Sequence, residues 1–298
     1  MVCLDIPVSI RFGKPMYIYF FGDMQFGAVG FCKEAWQEFQ HESQQTENAY
    51  FVGVGDYGNF LRPSISMKIK ESMQKDPAAS LEFDDVVAPH YEKIGLMMEF
   101  MKGRILWLHD GHHNWKFQDG TTATQRLCRD LKTNYGEWMA YNTLHFNTSG
   151  GQAISCIDIL SMHGTGNAQM ASTDARWLES RMWPGWDADI YVRGHSTKLS
   201  ALEVSKNYRK HKGTGFYSKS AHLLNCGGFC NGYTNGNGTS YVEMAGFLPS
   251  PLGWCVAKLE IKQLSHRRRV KEPLAAHNPQ IQITSWARSY QEGQEDRA

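Results

Sequence analysis

Residues 50–59 read YFVGVGDYGN, an apolar run that ends abruptly in the pair Gly55-Asp56. A continuous apolar run of this kind, rich in aromatic and β-branched residues, is typical of a β-strand buried on both faces. In layered α/β domains, ligands bind beyond the carboxyl ends of such strands. The segment therefore predicts a core strand over Tyr50–Val54 that delivers Asp56 to a functional edge of a sheet.

Other apolar runs of the chain end in the same way, each followed by a polar residue able to bind a metal ion. They are Met16–Phe21 before Asp23, Ile105–Leu108 before His112, Ala153–Met162 before His163, and Asp189–Arg193 before His195. Periodicity and capping residues predict helices over Ala28–His41, Ile65–Gln74, Phe83–Lys102 and Ser172–Met182. Alternating strands and helices predict one layered α/β domain, which we place at residues 1–263.

The chain after residue 199 has a different pattern, without long helices. Strands are predicted over Leu199–Val204, Ala221–Asn225, Tyr241–Met244 and Val256–Ile261, and the Gly/Asn-rich stretch Cys226–Gly238 is predicted to be a loop. Residues 264–298 are rich in Arg, Gln and Glu, so we interpret them as a polar C-terminal tail.

Composition excludes several classes of protein. The 298 residues carry a net charge of +1, so no overall field attracts the chain to nucleic acid or to a membrane. No apolar stretch approaches the ~18 residues of a membrane span. The N-terminus has no pattern of a secretory signal, and the seven cysteines are scattered, which favours reduced thiols. We therefore expect a cytoplasmic location.

The ordered polar loops resemble the motifs of the calcineurin-like metallophosphoesterase family, which read D-x-H, G-D-x-x-[DN], G-N-H-[DE], H and G-H-x-H. Here they appear as Asp23-Met24-Gln25, Gly55–Asn59, Gly111–Asn114, His163 and Gly194–Thr197. The resemblance implies a four-layer α-β-β-α sandwich of two mixed β-sheets flanked by helices. It also implies a phosphoesterase that hydrolyses a phosphate ester through a metal-bound hydroxide at a di-metal site.

The resemblance assigns a role to each motif residue. Asp56 would bridge two divalent ions. Around the first ion it places Asp23, Gln25 and Thr197, and around the second His112, His163 and His195. His113 matches the catalytic histidine beside the scissile bond. Asn59 matches a position that contacts the phosphate or a metal ligand, and a structural turn residue is the alternative there. Because side chains alternate along a strand, Arg193 and His195 would point in the same direction, and a second phosphate contact at Arg193 is therefore possible.

Departures from the family motifs fall mainly on the first ion. Gln25 and Thr197 replace two histidines there, whereas His112 replaces an asparagine at the second ion and Asn114 replaces an acid. Oxygen donors suit Mg²⁺, Mn²⁺ or Ca²⁺, and imidazoles suit Zn²⁺, Fe, Ni²⁺ or Mn²⁺. We therefore expect two divalent ions, with Mn²⁺ as first choice, the second tightly bound and the first exchangeable. A decayed site that binds one ion or none is the alternative.

Two further features favour a phosphodiester or nucleic-acid substrate. One is the basic run Lys206–Lys212 (KNYRKHK), and the other is the group of Trp177, Trp183 and Trp186. Solvated charges on a hairpin and ordinary packing explain these features equally well. A protein or small-molecule phosphomonoesterase, or a non-catalytic scaffold with the same fold, therefore remains open.

Overall fold

The structure, a computed structural model, describes residues 1–9, 13–60, 77–147, 153–166, 170–196, 198–209, 214–234, 240–262 and 280–291. The strands are β1 (Asp5–Ser9), β2 (Met16–Phe21), β3 (Ala49–Gly53), β4 (Ile105–Leu108), β5 (Asn134–Tyr135), β6 (Met139–Asn147), β7 (Ala153–Met162), β8 (Ile190–Arg193), β9 (Ser200–Arg209), β10 (Phe216–Asn225), β11 (Gly253–Lys262) and β12 (Gln280–Ser289). The helices are α1 (Lys33–Gln45), α2 (Pro77–Met98), α3 (Ala123–Leu131), α4 (Ala171–Trp177) and α5 (Tyr241–Ala245).

These strands form two mixed sheets. The first has the order β1-β6-β7-β8-β10-β9, and the second has the order β12-β11-β2-β3-β4-β5. In the second sheet, β2, β3, β4 and β5 run parallel, while β11 and β12 are antiparallel to their neighbours. In the first sheet, β7 and β8 are parallel. The carboxyl ends of β2, β3 and β4 therefore lie along one edge of the second sheet.

Three apolar clusters separate four layers. Alternate residues of β2 divide between two of them: Ile18 and Phe20 pack between the sheets, whereas Tyr19 and Phe21 pack beneath α1 and α2. On the outer face of the first sheet, Leu160 of β7 belongs to the third cluster, with residues of α4 and the turn after it. Because side chains alternate across a strand, a sheet covered on both faces needs apolar residues at every position. The predicted fold class, α/β with two mixed sheets between helices, is confirmed.

Most predicted elements are found close to their expected positions, but α1 begins later than expected. The chain from Phe31 to Cys32 pairs with the segment around Phe229, and the Cys32 N–H donates to the Phe229 carbonyl at 2.7 Å. That pairing holds the residues before Lys33 extended. The expected helix over 65–74 lies outside the described residues.

Two other expectations are wrong. Residues 241–244 are helical rather than extended, because Ser240 and Glu243 form a reciprocal capping box and Gly246 ends the helix with φ 63°. Within the expected polar tail, Gln280–Ser289 forms β12, which pairs along its whole length with β11. Polar residues on its exposed face hid this strand from the hydrophobic pattern.

β6 was not predicted either, because its buried positions include Asn142 between apolar residues. All seven cysteines are free thiols. Among the described residues, no helix is both long and apolar enough to cross a membrane.

Candidate metal centre

Strand ends from both sheets converge at one edge of the sandwich. Four side chains there, Asp56 after β3, His112 after β4, His163 after β7 and His195 after β8, bring one ligand atom each within 4.8 Å of one another. One carboxylate and three imidazoles form a donor set that suits a transition-metal ion. The convergence follows from the topology, because each residue lies in the loop just after a strand that ends at this edge.

The backbone at this edge is unusual. Asp23, Gln25, Asp56 and His195 adopt left-handed conformations, with φ of 46°, 51°, 55° and 66°. Cross-loop hydrogen bonds fix two of them: the Asp23 N–H donates to the Gly55 carbonyl at 2.9 Å, and the Gln25 N–H donates to the Asp56 carbonyl at 3.0 Å. Such conformations are costly for residues with a side chain and cluster at functional sites.

The orientation of His163 leaves a nitrogen directed at Asp56. Its Nδ1–H donates to the Val54 carbonyl at 2.7 Å, so Nε2 is the nitrogen that can bind an ion once it is deprotonated. Nε2 is buried and lies 3.2 Å from Asp56 Oδ2, yet makes no hydrogen bond of acceptable angle among the described residues. The buried Nδ1 of His112 also has no hydrogen-bond partner among them. Since buried polar atoms are nearly always paired, these two nitrogens fit a bound ion.

The electrostatics of the cluster favour ligand states at neutral pH. Burial and the neighbouring histidines lower the pKa of His195 to about 3, and burial lowers the pKa of His112 as well. Burial opposes the charge of His163, but Asp56 beside it raises the pKa of His163 to about 9. Burial likewise opposes ionisation of Asp56, but the adjacent His163 lowers its pKa overall. Two imidazoles are therefore neutral, and an ion has one proton to displace, from His163.

Asp23 and Gln25 contact members of this cluster. Asp23 Oδ2 accepts the His195 N–H at 2.7 Å, and burial raises the pKa of this carboxyl group. The Gln25 amide Nε2 donates to Asp56 Oδ2 at 3.2 Å. Thr197 lies outside the described residues. Asp23 and Gln25 therefore lie beside the cluster, and their role around a first ion stays a prediction.

His113 is held beside Asp56 by two contacts. Its backbone N–H donates to Asp56 Oδ1 at 2.8 Å, and its ring Nδ1–H donates to the Phe60 carbonyl at 2.6 Å. This tautomer leaves Nε2 to exchange a proton with a ligand. The Tyr91 hydroxyl donates to the His113 carbonyl at 3.3 Å and anchors the same turn.

A buried polar network connects the two sheets beneath the ligands. The His109 Nδ1–H donates to the Glu137 carbonyl at 3.0 Å, and its Nε2 accepts the Ser161 hydroxyl at 2.7 Å. Ser161 in turn accepts the Trp107 indole N–H at 3.0 Å, and that N–H also lies 3.1 Å from His109 Nε2. His109 directly follows β4 and joins it to β7 close to His163.

Asp110 braces the following turn. Its carboxylate accepts hydrogen bonds from Asn114, Thr122 and Tyr135, so the loop that carries His112 and His113 is tied to the start of α3 and to β5. Asn114, which replaces the acid of the family motif, has its amide in this network.

The two predicted phosphate contacts have different surroundings. Asn59 is exposed, and its N–H donates to the Phe26 carbonyl. Arg193 is 0% exposed and donates to the carbonyls of Thr165 and Gly166 at 2.8 and 2.7 Å. Its guanidinium also lies 4.2 Å from the centre of the Trp177 ring. These contacts favour a role for Arg193 in fixing the loop after His163.

The basic run lies away from the ligands, whereas Trp177 of the tryptophan group packs on Arg193, two residues before His195. Lys206 packs its ammonium group 4.4 Å from the centre of the Trp183 ring and donates to the Trp183 carbonyl, so these two features support each other structurally. Lys210, His211 and Lys212 lie outside the described residues. The end of β10 at Asn225 lies next to Arg193 of β8 and so near the site. The opposite end, at Phe216, where β10 joins β9 in a hairpin, therefore lies away from the site.

Trp138, a half-exposed residue beside the ligands, is the aromatic that sequence reasoning missed. Its ring centre lies 5.1 Å from that of His112 and 6.1 Å from that of His163. No motif includes it, since it belongs to the connection between β5 and β6. The only local signal is its position directly before β6. That strand pairs with β7, which His163 directly follows.

Comparison with known proteins gives likeness in structure alone. No protein-family model matches the chain, and no curated protein matches it. It is similar to Vps29 of Chaetomium thermophilum, with a TM-score of 0.35 and 6% identity over 92% of this chain and 98% of that one. It is similar to a putative 5′-nucleotidase of Staphylococcus aureus, with a TM-score of 0.38 and 8% identity over 95% of this chain and 57% of that one.

A further likeness is to the NAD nucleotidase of Haemophilus influenzae, with a TM-score of 0.35 and 9% identity over 84% of this chain and 48% of that one. This chain spans about half the length of either nucleotidase. Since all these scores are low, the fold assignment rests on the two sheets and on the strand-end site. The two mixed sheets and the cluster at their strand ends agree with the architecture that the resemblance to calcineurin-like metallophosphoesterases implies.

Proposed function

We propose that this protein is a metal-dependent phosphoesterase that hydrolyses phosphate esters at the cluster of Asp56, His112, His163 and His195. The observation that carries the proposal is the convergence of these four ligand atoms within 4.8 Å, with buried nitrogens on His112 and His163 that lack a hydrogen-bond partner among the described residues. A structural role alone would leave such nitrogens paired.

A divalent ion in this cluster would supply the positive charge that polarises a phosphate ester and lowers the pKa of a water molecule. Asp23 and Gln25 would hold the first ion of the predicted pair beside Asp56, and their hydrogen bonds to His195 and Asp56 support that role. The site of Asp23 and Gln25 would offer oxygen donors, and the four-residue cluster offers imidazoles. Mn²⁺ is the ion that suits both kinds of donor.

The chain itself supplies the proton transfer. His113 donates through Nδ1 to the Phe60 carbonyl, which fixes its tautomer and leaves Nε2 to exchange a proton with the leaving oxygen. Its backbone N–H binds Asp56 Oδ1, so the position of the acid is linked to that of the central ligand. Removal of such a group lowers rates by roughly 10²–10⁴-fold.

The substrate class is the less constrained part of the proposal. The described part of the basic run, Lys206–Arg209, lies towards the end of β9 that is away from the site, so a phosphodiester or nucleic acid has no more support from it than a phosphomonoester. Hydrolysis of para-nitrophenyl phosphate and of bis-para-nitrophenyl phosphate by the Mn²⁺-loaded protein compares these two classes.

The test begins with metal content. Protein purified without chelator is expected to contain at least one ion per chain, and His163→Asn is expected to lose it. His145→Asn is the matched control, because His145 is exposed on β6 and pairs with Asp5 at 2.7 Å. His113→Asn is expected to keep the ion and lose the rate. A wild-type protein that takes up no ion and gains no thermal stability from Mn²⁺ contradicts the proposal and leaves the non-catalytic scaffold.

A further inference from the structure

Trp138 is a large aromatic side chain exposed next to the candidate ligands. It is 46% exposed, although its ring centre lies only 5.1 Å from that of His112. The planes of the two rings meet at 66°, and those of Trp138 and His163 meet at 61°, so neither imidazole lies flat on the indole. Exposure of so much apolar surface costs free energy that a packed position would avoid.

The backbone around Trp138 is held rigidly. The His163 N–H donates to the Trp138 carbonyl at 3.3 Å, and the Asp110 N–H donates to the Glu137 carbonyl at 2.9 Å. Glu137 itself adopts a left-handed conformation, with φ of 50°. The indole therefore projects from a segment fixed on both sides to ligand-bearing strands, and a ring bound to it would pay little ordering entropy.

Other exposed aromatics of the described chain differ in their surroundings. Trp186 is 37% exposed, but it precedes β8, whose other end carries His195, and its ring neighbour is Tyr141. Phe216 is 71% exposed at the hairpin end of β10. Trp138 differs from both because it contacts the imidazoles of two candidate ligands.

We propose that Trp138 is a stacking platform for an aromatic ring on the ester substituent of the substrate. The site would then prefer nucleotide or aryl phosphates to phosphate esters without an aromatic ring. This inference rests on the proposed function, since it assumes that the phosphate group binds at the four ligands. An ester substituent that leaves the cluster past His112 would meet the exposed indole, whose ring centre lies 5.1 Å from that of His112. Stacking tolerates any base, because each has a π-face.

The test compares two ligands that share a ribose phosphate and differ in the aromatic base: adenosine 5′-monophosphate, which carries adenine, and ribose 5-phosphate, which does not. Their dissociation constants are measured by calorimetry on the full chain loaded with Mn²⁺, at a temperature where turnover is negligible or with Ca²⁺ in its place. Wild-type protein is expected to bind the nucleotide about tenfold more tightly, as one stacked base contributes.

The variants then locate that difference. Trp138→Leu is expected to remove the preference for the nucleotide and to change binding of ribose 5-phosphate by less than about twofold, and Trp138→Phe is expected to retain part of the preference. Trp186→Leu, the matched control, is expected to behave as wild type. In kinetics, Trp138→Leu raises KM for ring-bearing esters and leaves kcat and ion content unchanged.

Each other result overturns the inference in a recognisable way. An equal loss of affinity for both ligands means that Trp138 only supports His112. Equal affinities in the wild type mean that no ring is recognised, and with the ion bound and phosphate esters hydrolysed the proposed function still stands. Absence of ion binding in the wild type counts against the proposed function and against the stacking platform together.

Discussion

Acidification is expected to destabilise the fold through His109, the imidazole that links β4 to β7. Burial lowers the pKa of His109 to about 4, although its bond to the Glu137 carbonyl opposes the shift. Protonation of His109 Nε2 would also point its new N–H at the indole N–H of Trp107, whose nitrogen lies 3.1 Å away. The folded state therefore holds His109 neutral, while the unfolded chain protonates it near pH 6.5.

The sign and size of the effect follow from these two values. The stabilisation is complete above about pH 6.5 and is lost as the pH falls from there towards 4. At pH 5, which is 1.5 units below the unfolded pKa, the loss is ~2 kcal/mol at 1.36 kcal/mol per unit. For a chain of 298 residues this corresponds to ~3 °C in Tm.

The assay is urea unfolding at pH 7, 6 and 5 in the presence of chelator, so that bound ion does not contribute to the pH dependence. His109→Asn keeps a donor for the Glu137 carbonyl and removes the titrating group. It is expected to be less stable at pH 7, but to lose ~2 kcal/mol less than wild type between pH 7 and pH 5. His145→Asn, at an exposed position, should follow wild type. Parallel pH dependence in wild type and His109→Asn would refute the reasoning.

Two other substitutions test the packing around the site. Gly111→Ala is expected to lower ion affinity by more than tenfold in calorimetry, because a Cβ there would overlap the Asp56 carboxylate and backbone nitrogen. Gly185→Ala controls for the loss of a glycine, since a Cβ there comes no closer than 4.0 Å to its nearest neighbour, the Met182 carbonyl oxygen. Unchanged affinity in Gly111→Ala would contradict the geometry. Ser240→Ala removes the N-terminal cap of α5 and is expected to cost ~1 kcal/mol of local stability. The measurement is the rate of proteolysis between residues 231 and 250, which should rise. Equal cleavage rates would show that the cap contributes nothing.

The strands that carry the site could be predicted because both of their faces are buried. Met16–Phe21 and Ile105–Leu108 contain no polar residue, so their bounds were recovered unchanged. The same rule failed for strands with one polar face. β12 places charged and polar residues on its exposed side, and β6 includes the buried Asn142, so neither has a continuous apolar run.

The site divides in a similar way. Motif residues such as Asp56 and His163 follow predictable strands, so their convergence was within reach of the sequence. The partners that orient them were not, since Val54 and Phe60 contribute backbone carbonyls, which no residue type encodes. Trp138 escaped for a related reason: its relation to His112 depends on the pairing of β6 with β7, a contact between segments with no common motif.

The position of β2 has a consequence for the order of folding. β2 begins at residue 16, and its antiparallel partner β11 begins at residue 253. At roughly 5–20 residues per second, a ribosome takes on the order of 10 to 50 s to synthesise the chain between them. During that time β2, with the apolar sequence MYIYFF, has one unpaired edge. Nascent chains stalled before residue 253 are therefore the species in which aggregation should begin, and a chaperone that shields this edge should raise the yield.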